Sequence, residues 1–254
     1  MSSNSAVQLS GPDNGIVHIT LSRPEQRNAL RESDHQRLSV IWDDLDKDAD
    51  VRVVVVHGAG QSYGAGGDPD YVRQVVSDED VRRRAWWEAR SIVRGMIECR
   101  KPIVSAVEGA AVGAGCAIAL LADICIVAED ARLIDGHLAM GVSPGDHAAF
   151  LWPLAMGIGR ARGHLLLGRR LSGAEAAAQG LVYEAVAPGT ALQRADELAA
   201  ELVGFDAQAL AVTKLSVNAI LRQHWQSFEA ALALEFMLIS GDGPRAALAS
   251  LDQA

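Results

Sequence analysis

Runs of apolar, mostly β-branched residues alternate with segments of helical periodicity through the first part of the chain. The predicted elements follow in the order helix 33–46, strand 51–56, helix 79–98, strand 103–107, helix 113–122 and strand 124–127. Strands joined through helices cross over and run parallel to one another. The chain is therefore expected to form an α/β fold around a largely parallel sheet.

A hairpin is expected before this alternation begins. The short apolar runs 7–9 and 16–21 flank the segment Gly-Pro-Asp-Asn-Gly at 11–15. These residue types favour a turn between two antiparallel strands.

Helical spacing dominates after about residue 146, and only 181–186 has the pattern of a further strand. Apolar stripes over 191–203, 207–221 and 225–239 predict three helices. These stripes exceed what the preceding core can cover, which favours packing on a second subunit. We therefore divide the chain into a core, residues 1–190, and a helical oligomerisation region, residues 191–254.

Composition excludes several classes of protein. The formal net charge is −9, with no basic run, so a nucleic-acid partner is not expected. The amino terminus lacks the pattern of an export signal and no apolar stretch has the length of a membrane span, which favours a cytoplasmic protein with no membrane partner. Cys99, Cys116 and Cys125 lack the paired spacing of a zinc site, so we expect reduced thiols and neither a metal nor a redox cofactor.

Three glycine-rich loops, at 58–68, 108–115 and 141–146, each follow a predicted strand. Parallel α/β sheets bind their ligands at this edge. Backbone amides that converge at the start of a helix could stabilise an oxyanion there, although such loops also occur as plain turns. A phosphate-binding P-loop is excluded because the motif with its lysine is absent.

Seven short motifs stand out along the chain: LSRPEQRNAL at 21–30, SYGAGGD at 62–68, KPIVSAVEG at 101–109, GAGC at 113–116, ADI at 122–124, LSGAEA at 171–176 and GLV at 180–182. In order and spacing they resemble the enoyl-CoA hydratase/isomerase (crotonase) superfamily, over about residues 10 to 250. The resemblance implies a spiral of β-β-α units with a C-terminal helical trimerisation region. It also implies a homotrimer or dimer of trimers that binds an acyl-CoA thioester, with coenzyme A entering only as part of the substrate.

The resemblance assigns the oxyanion hole to the amides of Gly67 and Ala114. It further implies that the helix carrying Trp86, Trp87 and Glu88 lines the acyl pocket, the alternative for the two tryptophans being core packing. The substrate-binding residues implied are Ala65, Gly66, Asp68, Trp87 and Gly113.

The sequence departs from the hydratases of this family at both of their catalytic glutamates. The corresponding positions are Ala117 and His137, so hydration by a pair of carboxylates is not expected. Positions where relatives carry lysines near the CoA phosphates are Gln61 and Asp70, and the sequence ends without a basic tail. CoA binding weaker than is usual for the family is therefore expected.

A shorter resemblance points to the β-diketone hydrolase branch of the superfamily, which includes 6-oxocamphor hydrolase. It consists of Asp-Gly-His at 135–137, Pro-Gly-Asp at 144–146 and Trp-Pro at 152–153. It implies that His137 and Asp146 support retro-Claisen cleavage of a diketone that need not carry CoA. Many bacterial proteins named as hydratases share the Asp-x-His pattern, which limits its diagnostic value.

Each candidate side chain has a second interpretation. We expect His137 to act as a neutral acid/base group, the alternative being a loop histidine bonded to backbone. Asp146 is either its partner or a helix N-cap, and Asp135 either orients the imidazole or is a surface charge. His147 is a weaker candidate, and Glu108 and Asp123 are expected to be structural.

Three functions therefore remain open at this stage. They are enolate chemistry on a carbonyl or thioester substrate, hydrolysis of a carbon-carbon bond in a β-diketone, and binding of acyl-CoA without catalysis.

Overall fold

A six-stranded sheet forms the centre of the computed structural model, which describes residues 5–251. Its strand order is β1-β2-β3-β4-β6-β9; β1 and β2 form the expected antiparallel hairpin and the other neighbours are parallel. The strands are β1 (Val7–Asp13), β2 (Ile16–Leu21), β3 (Val53–Gly58), β4 (Ile103–Val107), β6 (Ile124–Ala128) and β9 (Glu184–Val186).

A smaller sheet of three strands lies beside it, in the order β5-β7-β8. These strands are β5 (Ala110–Val112), β7 (Arg132–Ile134) and β8 (Leu171–Ser172). The chain passes from β4 into β5 and then into a helix, and later from β6 into β7. Each of these two passages adds one strand to the large sheet and one to the small sheet. This is the spiral of β-β-α units that the family resemblance implied.

Helices surround the two sheets. They are α1 (Glu32–Lys47), α2 (Pro69–Ser77), α3 (Glu79–Glu98), α4 (Ala114–Leu121), α5 (Ala148–Met156), α6 (Ile158–Leu167), α7 (Gly173–Ala178), α8 (Ala191–Val203), α9 (Ala207–Val217), α10 (Ala219–Gln223), α11 (Trp225–Leu238) and α12 (Asp242–Leu251). Among residues 5–251 no helix has both the length and the apolar character needed to cross a membrane.

The two faces of the large sheet are covered by different parts of the chain. One face carries the main core, in which Trp42 of α1 and Met96 of α3 are fully buried. Helix α8 covers the other face, where Ala195 and Leu198 pack against Val55 and its neighbours. The first helix of the predicted oligomerisation region thus packs on its own sheet.

Most predicted elements agree with the structure, and the exceptions have local causes. Within the expected strand 181–186 only Glu184–Val186 is extended, because Leu181 and Val182 turn into the core after α7. The expected helix 207–221 is divided at Asn218, whose side-chain amide donates to the carbonyl of Ile97 at 3.0 Å. That bond fixes the bend between α9 and α10 against the end of α3.

Candidate active site

Two of the glycine-rich loops lie side by side. The segment after β3 is held by hydrogen bonds of 2.8 Å from Leu30 N to Gly66 O and from Asp68 N to Leu30 O. A methyl group added to Gly66 would lie 3.0 Å from Val112 O and 3.9 Å from the amide nitrogen of Ala114. The loop after β3 therefore runs directly along the start of α4.

The backbone at this contact requires glycine. Gly66 and Gly113 have φ values of +84° and +49°, a region that residues with a Cβ rarely adopt. A Cβ on Gly113 would also lie 3.9 Å from the Cα of Gly66. These two glycines allow the two segments to approach closely just before the amides of Gly67 and Ala114.

The amides of Gly67 and Ala114 have no acceptor among the described residues, 5–251. Ala114 is the first residue of α4, and the first amides of a helix have no partner inside it. Both residues are half-buried.

The other residues expected to bind substrate are not equally placed. Ala65 and Gly113 belong to the same two loops, and their amides donate to Arg27 O at 2.9 Å and to Ile134 O at 3.0 Å. The side chain of Asp68 caps α2 through Asp70 N and pairs with Arg23 at 2.9 Å, so it is occupied in holding the loop. Trp87 is 54% exposed on α3.

A buried polar cluster lies next to these loops. The Nδ1 atom of His137 is 3.0 Å from Asp135 Oδ1. Its Nε2 atom is 3.5 Å from Asp146 Oδ1 and 3.6 Å from Glu235 Oε1. The side chains of these four residues are between 8% and 14% exposed.

The structure connects this cluster to the candidate oxyanion hole through the backbone. A Cβ on Gly113 would lie 3.8 Å from Asp135 O, and one on Gly136 would lie 3.4 Å from a side-chain methyl of Val112. The segment that carries His137 therefore runs beside the residues that begin α4.

Glu235 is the site residue that the sequence did not predict. It lies on α11, where Phe228, Leu232 and Glu235 form the buried face of the helix. Its second oxygen accepts a hydrogen bond of 3.1 Å from the amide of Gly145. The signal in the sequence was a carboxylate at a position where the helical stripe calls for an apolar residue.

The ionisable side chains of this cluster shift one another's pKa values. Burial would lower the pKa of His137, but Asp146, Glu235 and the hydrogen bond with Asp135 raise it well above its ordinary 6.5. Burial would raise the pKa of Asp146, but the charges of His137 and His147 hold it well below 3.8. Burial raises the pKa of Glu235 above 4.5, against the opposing effect of His137.

Three interpretations from the sequence are corrected by these contacts. The contacts do not favour a neutral imidazole at position 137, because the neighbouring carboxylates raise the pKa of the ring well above 6.5. Asp146 is not the N-cap of α5; that position is His147, whose Nδ1 lies 2.6 Å from Asp146 Oδ1. Asp135 is buried and bonded to His137, and is not a surface charge.

Further polar groups lie in the same interior. Both ring nitrogens of His35, on α1, are inaccessible and have no hydrogen-bond partner in the part of the chain that the structure describes. Burial lowers its pKa to about 4, so the ring is neutral near pH 7. The hydroxyl of Tyr71, whose ring centroid is 5.2 Å from that of His35, donates to Glu88 at 3.2 Å.

The cluster also contains donor atoms of the kind that hold metals. One atom each of His137, Asp146 and Glu235 lies within 4.8 Å of the others. A proton on His137 Nε2 places positive charge at the same point, between the two carboxylates. The expectation of a metal-free site remains a prediction, which a chelator experiment tests below.

Comparison with known proteins identifies the family. The sequence profile named Enoyl-CoA hydratase/isomerase matches residues 11–240, most of the chain. The chain belongs to the enoyl-CoA hydratase/isomerase family. Its fold agrees, since a crystal structure of an enoyl-CoA hydratase/isomerase from Mycobacterium paratuberculosis superposes with a TM-score of 0.93 at 31% identity, over 98% of this chain and 100% of the other.

Two relatives whose names give different activities have nearly the same sequence identity to this chain. The 1,2-epoxyphenylacetyl-CoA isomerase of Escherichia coli is 30% identical over 83% of this chain and 81% of the isomerase. The short-chain-enoyl-CoA hydratase of Clostridium acetobutylicum is 29% identical over 87% of this chain and 83% of the hydratase. Similarity to both a hydratase and an isomerase leaves the reaction of this family member open.

The two positions at which the resemblance implied catalytic glutamates in hydratases are Ala117 and His137. Ala117 is a buried, apolar residue of α4 that cannot transfer a proton. His137 is the centre of a cluster of three carboxylates. The acid/base groups available beside the glycine loops are therefore those of His137 and Glu235.

Proposed function

We propose that this protein is an enzyme that stabilises the enolate of a carbonyl or acyl-CoA thioester substrate between the amides of Gly67 and Ala114. The proposal rests on one observation: the two amides, on adjacent loops, lie beside the buried cluster of His137, Asp146 and Glu235, whose pKa values are shifted from their ordinary values. One oxyanion-hole donor contributes about 3 to 4 kcal/mol to lowering a barrier. The same two amides serve any reaction of the family that passes through an enolate.

Within this site we assign the proton transfers to Glu235 and His137. A carboxylate whose pKa is raised by burial is a more effective base than an ordinary glutamate, and the His137 imidazolium is a proton donor. Asp135 orients the imidazolium from Nδ1, and Asp146 balances its charge from the other side. After each cycle, the proton passes from Glu235 back to His137 between atoms 3.6 Å apart.

The second candidate reaction is hydrolytic cleavage of a carbon-carbon bond in a β-diketone. Glu235 takes a proton from water as the oxygen attacks one carbonyl carbon. The bond to the central carbon then breaks, and its electron pair forms an enolate held by Gly67 and Ala114. His137 gives a proton to that carbon, so the products are a carboxylic acid and a ketone. The specific observation that favours this reaction is Ala117, which removes one of the two carboxylates used for hydration.

A 1,3-dicarbonyl compound, with or without CoA, suits the proposed reaction, since it offers one carbonyl carbon for attack by water and the oxygen of the other carbonyl to the two amides. The ring nitrogens of His35 are inaccessible, so His35 is not assigned to the substrate. We expect weak affinity for CoA itself, since Asp70 is exposed and paired with Arg73 at 2.7 Å where relatives carry a lysine.

We also propose that the protein acts as a homotrimer or dimer of trimers in the cytoplasm, without a separate cofactor. Two sets of exposed apolar side chains support the assembly. They are Ile158, Leu166 and Leu167 on α6, and Val212, Val217, Ile220, Leu234 and Met237 on α9 to α11. The three cysteines are buried free thiols, which suits a reducing compartment.

The deciding experiment is a substrate screen that compares crotonyl-CoA, acetoacetyl-CoA and cyclic 1,3-diketones. Turnover is measured for the native protein, His137→Ala and Glu235→Gln. Cleavage of a 1,3-dicarbonyl substrate that both variants reduce about 10²-fold supports the hydrolase. Efficient hydration of crotonyl-CoA that survives both changes contradicts the roles of His137 and Glu235.

A further inference from the structure

Helix α11 is held against α3 by one charged side chain between two aromatic rings. The guanidinium of Arg90 lies 5.6 Å from the ring centroid of Trp87 on its own helix and 5.4 Å from that of Trp225 at the start of α11. Its Nε donates to Glu229 Oε1 at 2.6 Å. The side chain of Arg90 is 23% exposed and that of Glu229 is 37% exposed, so solvent screens the pair only in part.

The N-terminal end of α11 also packs against α5. The ring centroid of Trp225 is 4.8 Å from that of Phe228, which is 5.3 Å from that of Phe150. Phe228 is fully buried. The aromatic contacts and the Arg90 pair therefore fix the position and rotation of the first turn of α11.

The rotation of that first turn determines where Glu235 points. Phe228, Leu232 and Glu235 are spaced by four and three residues, so they lie on one face of the helix. At the far end, Gly145 contacts this face so closely that an added Cβ would lie 2.8 Å from the Cβ of Glu235. A rotation of α11 about its axis at the first turn therefore moves the carboxylate of Glu235 away from His137.

We propose that Arg90 is a positioning residue, which acts through Glu229, Trp87 and Trp225 to hold the carboxylate of Glu235 at His137 Nε2. Arg90 contacts none of the cluster itself, and its importance for catalysis rests on the function proposed above for Glu235. Trp87, which the sequence assigned to substrate, has its place in this contact.

The test is the titration of His137 in the absence of substrate. Protein labelled with ¹⁵N-histidine is followed by NMR as a function of pH, and His137→Gln identifies the resonance. Arg90→Ala is expected to lower the pKa of His137 by about one unit, a tenfold weaker hold on the proton, because one of two carboxylates is displaced from Nε2. Arg90→Lys, which keeps the charge but not the planar group, should give a smaller fall.

The matched control is Arg94→Ala. Arg94 lies one turn further along α3, where it pairs only weakly with Glu98 at 3.8 Å on the same helix. It is expected to leave the His137 titration unchanged, whatever its effect on thermal stability. If Arg90→Ala does not fold, Glu229→Gln removes the same ion pair with a smaller change in packing, and a fall in the pKa of His137 is again expected.

An unchanged pKa of His137 in folded Arg90→Ala, or in Glu229→Gln, overturns the proposal. The result does not depend on which reaction is catalysed, because no substrate is present. If the pKa of His137 falls as expected but no substrate in the screen is turned over, the role of Arg90 stands and the proposed function fails. If a substrate is turned over but the pKa is unchanged, the proposed function stands and the role of Arg90 fails.

Discussion

The Nε2 atom of His137 lies 3.6 Å from Oε1 of Glu235, and the two residues come from different layers of the molecule. His137 follows the small sheet, whereas Glu235 lies on α11 near the end of the described chain. The first prediction tests this pair by kinetics. Glu235→Gln and His137→Ala should each lower kcat by about 10²-fold with a small effect on KM, because each removes a proton-transfer group. Glu201→Gln, an exposed position on α8, is the control and should match the native enzyme.

The pH dependence of kcat should be bell-shaped. Activity rises as Glu235 loses its proton, at a pH above its ordinary 4.5 because burial raises its pKa. Activity falls when His137 loses its proton, well above 6.5 because Asp146 and Glu235 raise the pKa of the ring. Glu235→Gln should remove the acid limb. An acid limb at the pKa of an exposed glutamate would contradict the assignment.

Substitution of Gly66 should damage the candidate oxyanion hole. A Cβ there lies 3.0 Å from Val112 O, at a φ of +84° that is costly for alanine. Gly66→Ala is therefore expected to destabilise the fold by about 1 to 3 kcal/mol. It should also lower kcat by about 10²-fold, the loss expected when one oxyanion donor is displaced. Gly159→Ala, with an ordinary φ and open space around it, is the control and should retain full activity.

Metal removal should not change the activity. The positive charge between Asp146 and Glu235 is expected to be a proton on His137, so dialysis against a chelator should leave kcat unchanged. Elemental analysis of the purified protein should find no stoichiometric metal. Activity that is lost with the chelator and restored by zinc or manganese would show that the cluster is a metal centre.

The protein should be an oligomer in solution. One chain has a mass of 26.9 kDa, and light scattering at micromolar concentration should give three or six times that value. Ile220→Lys, which places a charge in the exposed apolar face of α10, should weaken the assembly. A uniform monomer of the native chain would show that the apolar sides of α6 and α9 to α11 have another role.

The sequence predicted the fold well because its signals are local. The helix Glu79–Glu98 and the strand Ile103–Val107 have the bounds expected from periodicity alone. Glycine loops after buried strands also indicated which loops would be neighbours, because parallel strands bring their carboxyl ends to one edge. The choice of the Gly67 and Ala114 amides came from the family resemblance and stays a prediction.

The charge state of the site could not be read from the sequence in the same way. His137, Asp135 and Asp146 are close in the chain and were found together, but Glu235 joins them only through the packing of α11 on α5 and α3. Without this third carboxylate and without knowledge of burial, the imidazole was expected to be neutral. The protonated ring follows from distances that only the folded chain provides.

In the proposed site, helix α11 supplies one acid/base residue, while the segments after β3 and β5 supply the two amides. Substitutions on the buried face of α11 are therefore expected to alter proton transfer without changing the backbone that carries the amides.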